Sequence, residues 1–188
     1  MSGRISGCRV AVLATDGVEQ VELTKPSEAL RQAGAKVTVV SPKSGDIQGM
    51  NHEEKGDKLK VDMMLDEAKP EDFDALVLPG GVANPDNLRT VPQAVQFVRH
   101  FKDAKKPIAA ICHGPWTLIE VDAVRGKTMT SWPSLKTDLQ NAGASWVDEQ
   151  VVTDGLLVTS RKPNDIPAFN KAVIELFSSA GSTQSQAA

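Results

Sequence analysis

The sequence predicts an α/β protein in which a mostly parallel sheet is covered by helices on both faces. Short apolar runs that contain β-branched residues, such as Ala75–Leu78 and Ile108–Ile111, suit strands that are buried on both faces. A segment of helical periodicity, residues 92–103, lies between these two runs. Strands that alternate with helices form parallel sheets, because each helix returns the chain to the edge from which the previous strand began.

The predicted elements before residue 80 follow this alternation. They are a buried strand at 9–14, a turn at 15–17, a helix at 20–33 closed by Gly34, a strand at 36–41, a polar hairpin or excursion at 42–58, a short strand at 59–61, a helical turn at 70–73 and a buried strand at 75–78. Pro26 lies inside the first helix and predicts a kink there. We interpret His52, in the polar segment, as a solvated loop residue.

The second half continues the pattern. Asn84, Pro85 and Asp86 are typical of a helix start, with a capping side chain, a proline and an acid in the first turn. The elements expected after them are a helix at 92–103, a strand at 108–111, a helix at 116–121, a strand at 128–130, a helix at 134–142, short strands at 146–147, 151–153 and 156–158, a hairpin turn at 154–155 and a closing helix at 166–177.

The composition is that of an ordinary globular protein. The chain has 188 residues, is 40% hydrophobic and 24% charged, and has a net charge of −3. We expect one domain over 1–188, with a core at about 9–177 and a disordered tail at 178–188, which is rich in Ser, Gln and Ala. The basic residues are scattered, so no nucleic-acid groove is expected.

Every apolar run is far below the roughly 18 residues of a membrane span, and no signal peptide is recognisable. We therefore expect a cytoplasmic protein with reduced thiols and no membrane contact. The two cysteines, Cys8 and Cys112, do not make a disulfide framework. Cys8 stands at the entry of the first strand, where a structural role is expected.

Cys112 is the candidate nucleophile. It follows the apolar strand 108–111 directly, and His113, Gly114 and Pro115 come before the next helix. This order predicts a strand, a sharp turn and a helix, which together hold a reactive side chain at the carboxyl edge of a sheet. Amide groups and the dipole at a helix N-terminus favour a thiolate, and His113 could add to that effect. The alternative is a small buried hydrophobic residue, as most free cysteines are.

Ligands of parallel sheets bind beyond the carboxyl ends of the strands, so three segments should meet there. The helix after the first strand brings Glu22, the strand 75–78 ends at Gly80 and Gly81, and the third segment carries Cys112. The glycine N–H groups, with that of His113, could form an oxyanion hole, or the glycines could simply make a tight turn. No metal is expected, because adjacent residues rarely bind one ion and no tetrahedral set is visible.

Several motifs in this order resemble those of the PfpI-type, intracellular-protease branch of the DJ/PfpI superfamily. The resemblance covers roughly residues 9–177 and rests on GVEQVEL at 17–23, ALVLPGG at 75–81, AICHGPW at 110–116, TSWPSLK at 130–136, NAG at 141–143, VVTDG at 151–155 and TSRKP at 159–163. It implies a flavodoxin-like three-layer sandwich that assembles as a homodimer or a higher homo-oligomer.

The resemblance also implies roles for particular residues. Cys112 would be the nucleophile, His113 its neighbouring histidine and Glu22 a buried acid partner of the thiol. Asp86 matches an acidic residue that reaches the histidine from the neighbouring subunit. No cofactor is implied.

Members of this superfamily are described as cysteine peptidases, as glutathione-independent glyoxalases or deglycases, and as stress proteins. A thiolate beside an acid suits attack on a small aldehyde. We therefore expect a stress-protective enzyme that uses the Cys112 thiolate against reactive aldehydes or glycated amines. The alternatives are an intracellular cysteine peptidase with a peptide substrate, and a non-enzymatic redox-sensing or chaperone-like protein in which Cys112 is oxidised beside Glu22.

Overall fold

The structure is a computed structural model that describes residues 5–184 and the side chains of residues 5–180. Its strands are β1 (Arg9–Leu13), β2 (Val18–Glu19), β3 (Lys36–Ser41), β4 (Asp46–Asn51), β5 (Glu54–Lys60), β6 (Met63–Met64), β7 (Ala75–Leu78), β8 (Ile108–Ile111), β9 (Thr128–Met129), β10 (Ser145–Trp146), β11 (Val151–Asp154) and β12 (Leu157–Ser160). Its α-helices are α1 (Gln20–Gln32), α2 (Ala83–Leu88), α3 (Pro92–Asp103), α4 (Pro115–Ile119), α5 (Lys136–Asn141) and α6 (Ile166–Gln184). Short 3₁₀ turns occupy Pro70–Asp72, Pro133–Leu135 and Pro163–Asp165.

The central sheet has seven strands in the order β11-β12-β8-β7-β1-β3-β6. Every pairing in it is parallel except that of β11 with β12. Val12 of β1 pairs with Val39 of β3 on one side and with Val77 of β7 on the other. The predicted mostly parallel sheet is therefore confirmed, and the carboxyl ends of β1, β7 and β8 lie side by side.

Each face of the sheet supports a separate core, because side chains alternate along a strand. In β1, Val10 and Val12 pack with α1 and α6, while Ala11 and Leu13 pack on the opposite face with α3, α4 and α5. The strand is 0% exposed at all four of these positions, as a strand between two helical layers must be. The helices on both faces make the three layers that the sequence predicts.

Helix α3 shows how periodicity produces this packing. Pro92 stands at its first turn, where the missing N–H is no loss. Ala94, Phe97, Val98 and Phe101 recur every three or four residues and are buried together. Burial of each large apolar side chain stabilises the fold by roughly 1.5–3 kcal/mol.

The polar segment after β3 forms the predicted hairpin. β4 and β5 pair in antiparallel fashion, and β4 also pairs with β2, which gives a second sheet of three strands beside the main one. Two hydrogen bonds fix this hairpin to the start of α1. The Gln20 side chain donates to the Asp57 carboxylate at 2.7 Å and accepts the Asp57 N–H at 2.7 Å.

Several predicted boundaries differ from the structure. Helix α4 is shorter than the predicted 116–121, because the chain turns at Asp122, whose φ of 53° lies in the left-handed region. The last helix continues beyond Phe177 to Gln184, and residues 185–188 of the predicted tail lie outside the described part of the chain. Helix α1 runs through Pro26 without interruption.

Among the residues the structure describes, no helix has the length and apolarity needed to cross a membrane.

Candidate active site

Cys112 occupies the turn between β8 and α4. Its φ of 62° is in the left-handed region, which costs a residue with a β-carbon of the order of 1 kcal/mol. Neighbouring backbone holds the turn in place, since the Cys112 N–H donates to Ser160 O at 3.0 Å and the Trp132 N–H donates to Cys112 O at 2.9 Å. The side chain is 5% exposed. The strand, sharp turn and helix predicted around Cys112 are therefore present.

Gly80, in the segment after β7, lies close to both Glu22 and Cys112. A β-carbon at this position would stand 2.5 Å from Glu22 Oε2 and 2.6 Å from Cys112 Cβ, so only glycine fits. The Gly80 N–H donates to Glu22 Oε2 at 2.9 Å. This amide is already used, so it is not free to join an oxyanion hole.

The N–H groups of Gly81 and His113 are directed at the Cys112 sulfur, where they lower the thiol pKa. Gly81 has a φ of 79°, a conformation that glycine adopts without strain. Two of the three amide groups suggested for an oxyanion hole therefore lie beside the sulfur, and the oxyanion hole itself stays a prediction.

Glu22 is completely buried in α1 beneath these turns. Burial raises its pKa to about 8; the Gly80 N–H and the Cys112 thiol oppose this rise, and the charge of Glu19 adds to it. Glu22 therefore holds a proton at neutral pH. Within the described residues, its Oε1 has no hydrogen bond of ordinary geometry, although the Cys112 thiol is close enough to act on the Glu22 pKa as a hydrogen-bond partner.

The thiol pKa differs from the expectation. We predicted a lowered pKa, but burial raises the pKa of Cys112, and a charge on Glu22 raises it further. The two amide groups counteract only part of this effect. Helix α4, with five residues, is too short for the strong dipole that the prediction assumed. A proton on Glu22 removes the repulsion between the carboxylate and a thiolate.

The His113 ring is fixed beside the sulfur. Its Nδ1 lies 3.2 Å from Cys112 Sγ and its Nε2 lies 3.4 Å from Ser134 Oγ. Trp132 stacks on the ring with centroids 5.7 Å apart, and Trp116 meets it edge-on at 5.5 Å. Burial lowers the His113 pKa to about 4, so the imidazole is neutral at pH 7. In its resting form, His113 therefore carries no positive charge that would favour a thiolate.

These groups open onto a cavity of about 550 Å³. The residues that line it are Glu19, Glu22, His52, Glu53, Gly81, Val82, Cys112, His113, Trp116, Trp132, Ser134 and Pro163. The volume suits a small organic molecule.

Sequence reasoning missed part of this lining. His52 is an exposed turn residue, as the sequence indicated, and the β4–β5 turn also carries it to the cavity. The pairing of β2 with β4 brings it there, and that pairing leaves no local signal in the sequence. Trp132 and Ser134 belong to the TSWPSLK motif, which the prediction quoted without giving those residues a role.

Asp86 is exposed on α2, and the structure contains one chain, so its predicted reach to a neighbouring subunit stays a prediction. The predicted cap at Asn84 is wrong, since α2 begins at Ala83. The buried Asn84 side chain instead joins two loops of the site. It accepts the Thr15 N–H at 2.7 Å and donates to the carbonyls of Pro79 at 3.0 Å and Gly80 at 3.1 Å.

No cluster of three His, Cys, Asp or Glu residues in the described part of the chain could hold a metal ion.

Comparison with known proteins places this site in a family. The family model described as "DJ-1/PfpI family" matches residues 8–176. "Protein/nucleic acid deglycase 2" of Escherichia coli is 42% identical over 170 residues, which are 89% of this chain and 96% of that protein. "Putative cysteine protease YraA" of Bacillus subtilis is 40% identical over 168 residues, 89% of this chain and 97% of that protein.

The fold agrees with these sequence matches. The crystal structure of Drosophila melanogaster DJ-1beta superposes with a TM-score of 0.81 at 28% identity, over 95% of this chain and 97% of that one. The three-layer arrangement is thus the flavodoxin-like fold that the sequence predicted. With the family match spanning nearly all of the described residues, we conclude that the chain belongs to the DJ-1/PfpI family.

Proposed function

We propose that the protein is a cysteine-dependent enzyme that converts reactive aldehydes or releases amines from their glycated forms. One observation carries the proposal: a buried, protonated Glu22 and the Cys112 thiol share the floor of a cavity of about 550 Å³. A nucleophile and a proton donor at the same point are what addition to a carbonyl group requires. The deglycase name of the Escherichia coli relative supports the same chemistry.

Addition to an aldehyde is the first step. The sulfur–carbon bond forms while the π electrons of the carbonyl group move to its oxygen. That oxygen takes the proton of Glu22, and the thiol proton replaces it on Glu22. The amide groups of Gly81 and His113 stabilise negative charge during this exchange. The product is a hemithioacetal, and no charge needs to leave the cavity.

A glycated amine reaches the same intermediate. The sulfur–carbon bond forms as the carbon–nitrogen bond breaks, the amine leaves with the proton that Glu22 supplies, and the thiol proton replaces it on Glu22. The hemithioacetal of a 2-oxoaldehyde then isomerises: the hydrogens on its carbon and hydroxyl group move to the neighbouring ketone carbon and oxygen. This yields a thioester of a 2-hydroxy acid without any oxidant or reductant.

Hydrolysis closes the cycle. Water attacks the thioester, the carbon–sulfur bond breaks, and the 2-hydroxy acid leaves. The neutral His113, with Nδ1 3.2 Å from the sulfur, is placed to accept a proton from that water and to return it to the thiolate. In this proposal Asp86 of a second copy orients the imidazole, so the active form is a homodimer or a larger homo-oligomer.

The decisive experiment compares methylglyoxal, methylglyoxal-glycated N-acetyl-lysine and an unmodified peptide on one preparation. We expect lactate from the first substrate and free amine from the second. Intact-mass spectrometry of the quenched reaction should find the added mass on Cys112. Hydrolysis of the peptide alone would overturn the proposal in favour of the peptidase that the Bacillus subtilis name suggests. No turnover, with reversible oxidation of Cys112 by mild peroxide, would favour the redox sensor.

A further inference from the structure

The turn between β4 and β5 forms a charged wall of the cavity. His52 and Glu53 are its two residues, and both line the space above Cys112. His52 has a φ of 57°, so the backbone turns back on itself at this point. The wall belongs to a part of the chain that takes no part in the proposed proton transfers.

Two attachments hold this wall in position. The His52 N–H donates to Glu19 Oε2 at 3.0 Å, and Glu19 is itself only 6% exposed. Further along the hairpin, the two hydrogen bonds between Gln20 and Asp57 tie β5 to α1. Both attachments end within three residues of Glu22, so the turn is fixed relative to the reacting groups and not merely near them.

The lining of the cavity has more acidic than basic side chains. Three of these residues are glutamates and two are histidines, and none is lysine or arginine. Glu22 holds a proton, and His113 is neutral because its pKa is lowered to about 4. The carboxylates of Glu19 and Glu53 therefore face an incoming molecule with no fixed cation in the lining to offset them.

We propose that Glu53 determines the charge selectivity of the Cys112 cavity, so that neutral and cationic carbonyl compounds are admitted and carboxylate- or phosphate-bearing ones are rejected. The inference takes its substrates from the proposed function, and it takes the origin of the selectivity from the residues that line the cavity. Like charges brought together in a partly enclosed cavity repel more strongly than in water, because solvent screening is reduced. Glu19 is fixed by its hydrogen bond below the turn, whereas Glu53 is on the exposed turn itself.

The test uses thiol reagents of equal size and opposite charge, because these need no catalytic turnover. In a Cys8→Ser background, Cys112 is modified by cationic trimethylammonium-ethyl methanethiosulfonate or by anionic sulfonatoethyl methanethiosulfonate. Each rate is divided by that of a small free thiol. We expect the cationic reagent to react at least about tenfold faster and the ratio to fall as salt is added.

Glu53→Gln should reduce that ratio several-fold. Glu54→Gln is the matched control: Glu54 is the next residue, is exposed, carries the same charge and is absent from the cavity lining, and its variant should keep the ratio. An unchanged ratio in Glu53→Gln, or an equal change in Glu54→Gln, would overturn the proposal, since long-range charge would then explain the preference.

Substrate kinetics provide the second measurement. Glu53→Gln should raise kcat/KM for γ,δ-dioxovalerate, a 2-oxoaldehyde that bears a carboxylate, relative to methylglyoxal, a neutral one. If the wild-type protein converts neither, the proposed function fails, while the reagent ratio still decides the charge selectivity. If it converts γ,δ-dioxovalerate as well as methylglyoxal, the selectivity proposal fails and the proposed function stands.

Discussion

Cys8 and Cys112 lie at opposite ends of the same parallel sheet. Cys8 precedes β1 at the amino edge, and Cys112 follows β8 at the carboxyl edge. Burial raises the pKa of both thiols, to about 11 for Cys8. Burial therefore does not distinguish a candidate nucleophile from a structural cysteine. The difference lies in what each sulfur has beside it.

Each cysteine has a carboxyl group nearby, and the two carboxyl groups are in opposite states. Burial alone would raise the pKa of Asp74, near Cys8, but the hydrogen bonds and charge of Arg9 outweigh it, and the pKa is lowered. Asp74 thus stays charged and repels a Cys8 thiolate. No cation among the described residues acts on the pKa of Glu22, near Cys112, and this acid holds a proton that it can donate. The two edges of the sheet therefore differ in the acid beside the thiol: Glu22 is protonated, whereas Asp74 is charged and paired with Arg9.

The largest effect is expected when each of the two cysteines is replaced in turn. Cys112→Ser should lower turnover by at least about 10³-fold, because a hydroxyl group is a far weaker nucleophile at neutral pH. Cys8→Ser should stay within about twofold of wild type. Initial rates with methylglyoxal measure both, with circular dichroism as the control for folding. The opposite pattern would assign the chemistry to the amino edge.

Replacing the two carboxyl groups sharpens the comparison. Glu22→Gln keeps the shape of the side chain but cannot exchange a proton, so we expect a loss of roughly 10²-fold in kcat and a change in how readily Cys112 is over-oxidised. Asp74→Asn should leave kcat near wild type and lower the melting temperature, because the ion pair with Arg9 is lost. Similar kcat values in the two variants would reduce Glu22 to a structural acid.

Substitution of Asp86 tests whether the candidate active site needs a second chain. Asp86→Asn should lower activity about tenfold with little loss of thermal stability, since its contribution within α2 is worth only about 0.3–1 kcal/mol. Mixing Asp86→Asn with Cys112→Ser subunits should restore activity, because each mixed dimer has one complete site. If exchange is demonstrated by mass spectrometry and no activity returns, Asp86 acts within its own chain.

The last prediction concerns the pH dependence of stability. The folded-state pKa of Glu22, about 8, is above the unfolded value of 4.5. The folded state therefore binds the extra proton, and this contribution is fully present below pH 4.5 and is lost as pH rises through 8. The melting temperature of wild type should fall over this window relative to Glu22→Gln, with a limiting slope of about 1.4 kcal/mol per pH unit. Parallel curves for the two proteins would contradict a raised pKa.

The sequence predicted the strands of the central sheet and most of the residues that meet at its carboxyl edge. The apolar runs of β1, β7 and β8 gave the sheet, and parallel topology then brought Glu22, Gly80 and Cys112 to one edge. Those inferences depend on local pattern and on one rule of topology.

The features that sequence reasoning missed depend on contacts between distant segments. The β2–β4 pairing carries His52 to the cavity, and Asn84 bonds to Thr15 instead of capping its own helix. The thiol pKa was predicted in the wrong direction because burial, which outweighs the hydrogen bonds from the Gly81 and His113 amides, is a property of the complete fold. The local sequence pattern does not reveal these contacts or the extent of burial.

The position of β7 has a consequence for the order of events in folding. Its four residues pair with β1 on one side and with β8 on the other, so the three loops of the site come together only after both pairings exist. Helical contacts are local and form early, whereas parallel pairings between distant segments form late. In refolding from denaturant, helical circular dichroism should therefore recover before Cys112 becomes shielded from a thiol reagent. We therefore expect the candidate site to form late in folding, and the reactivity of its thiol would report when the sheet closes.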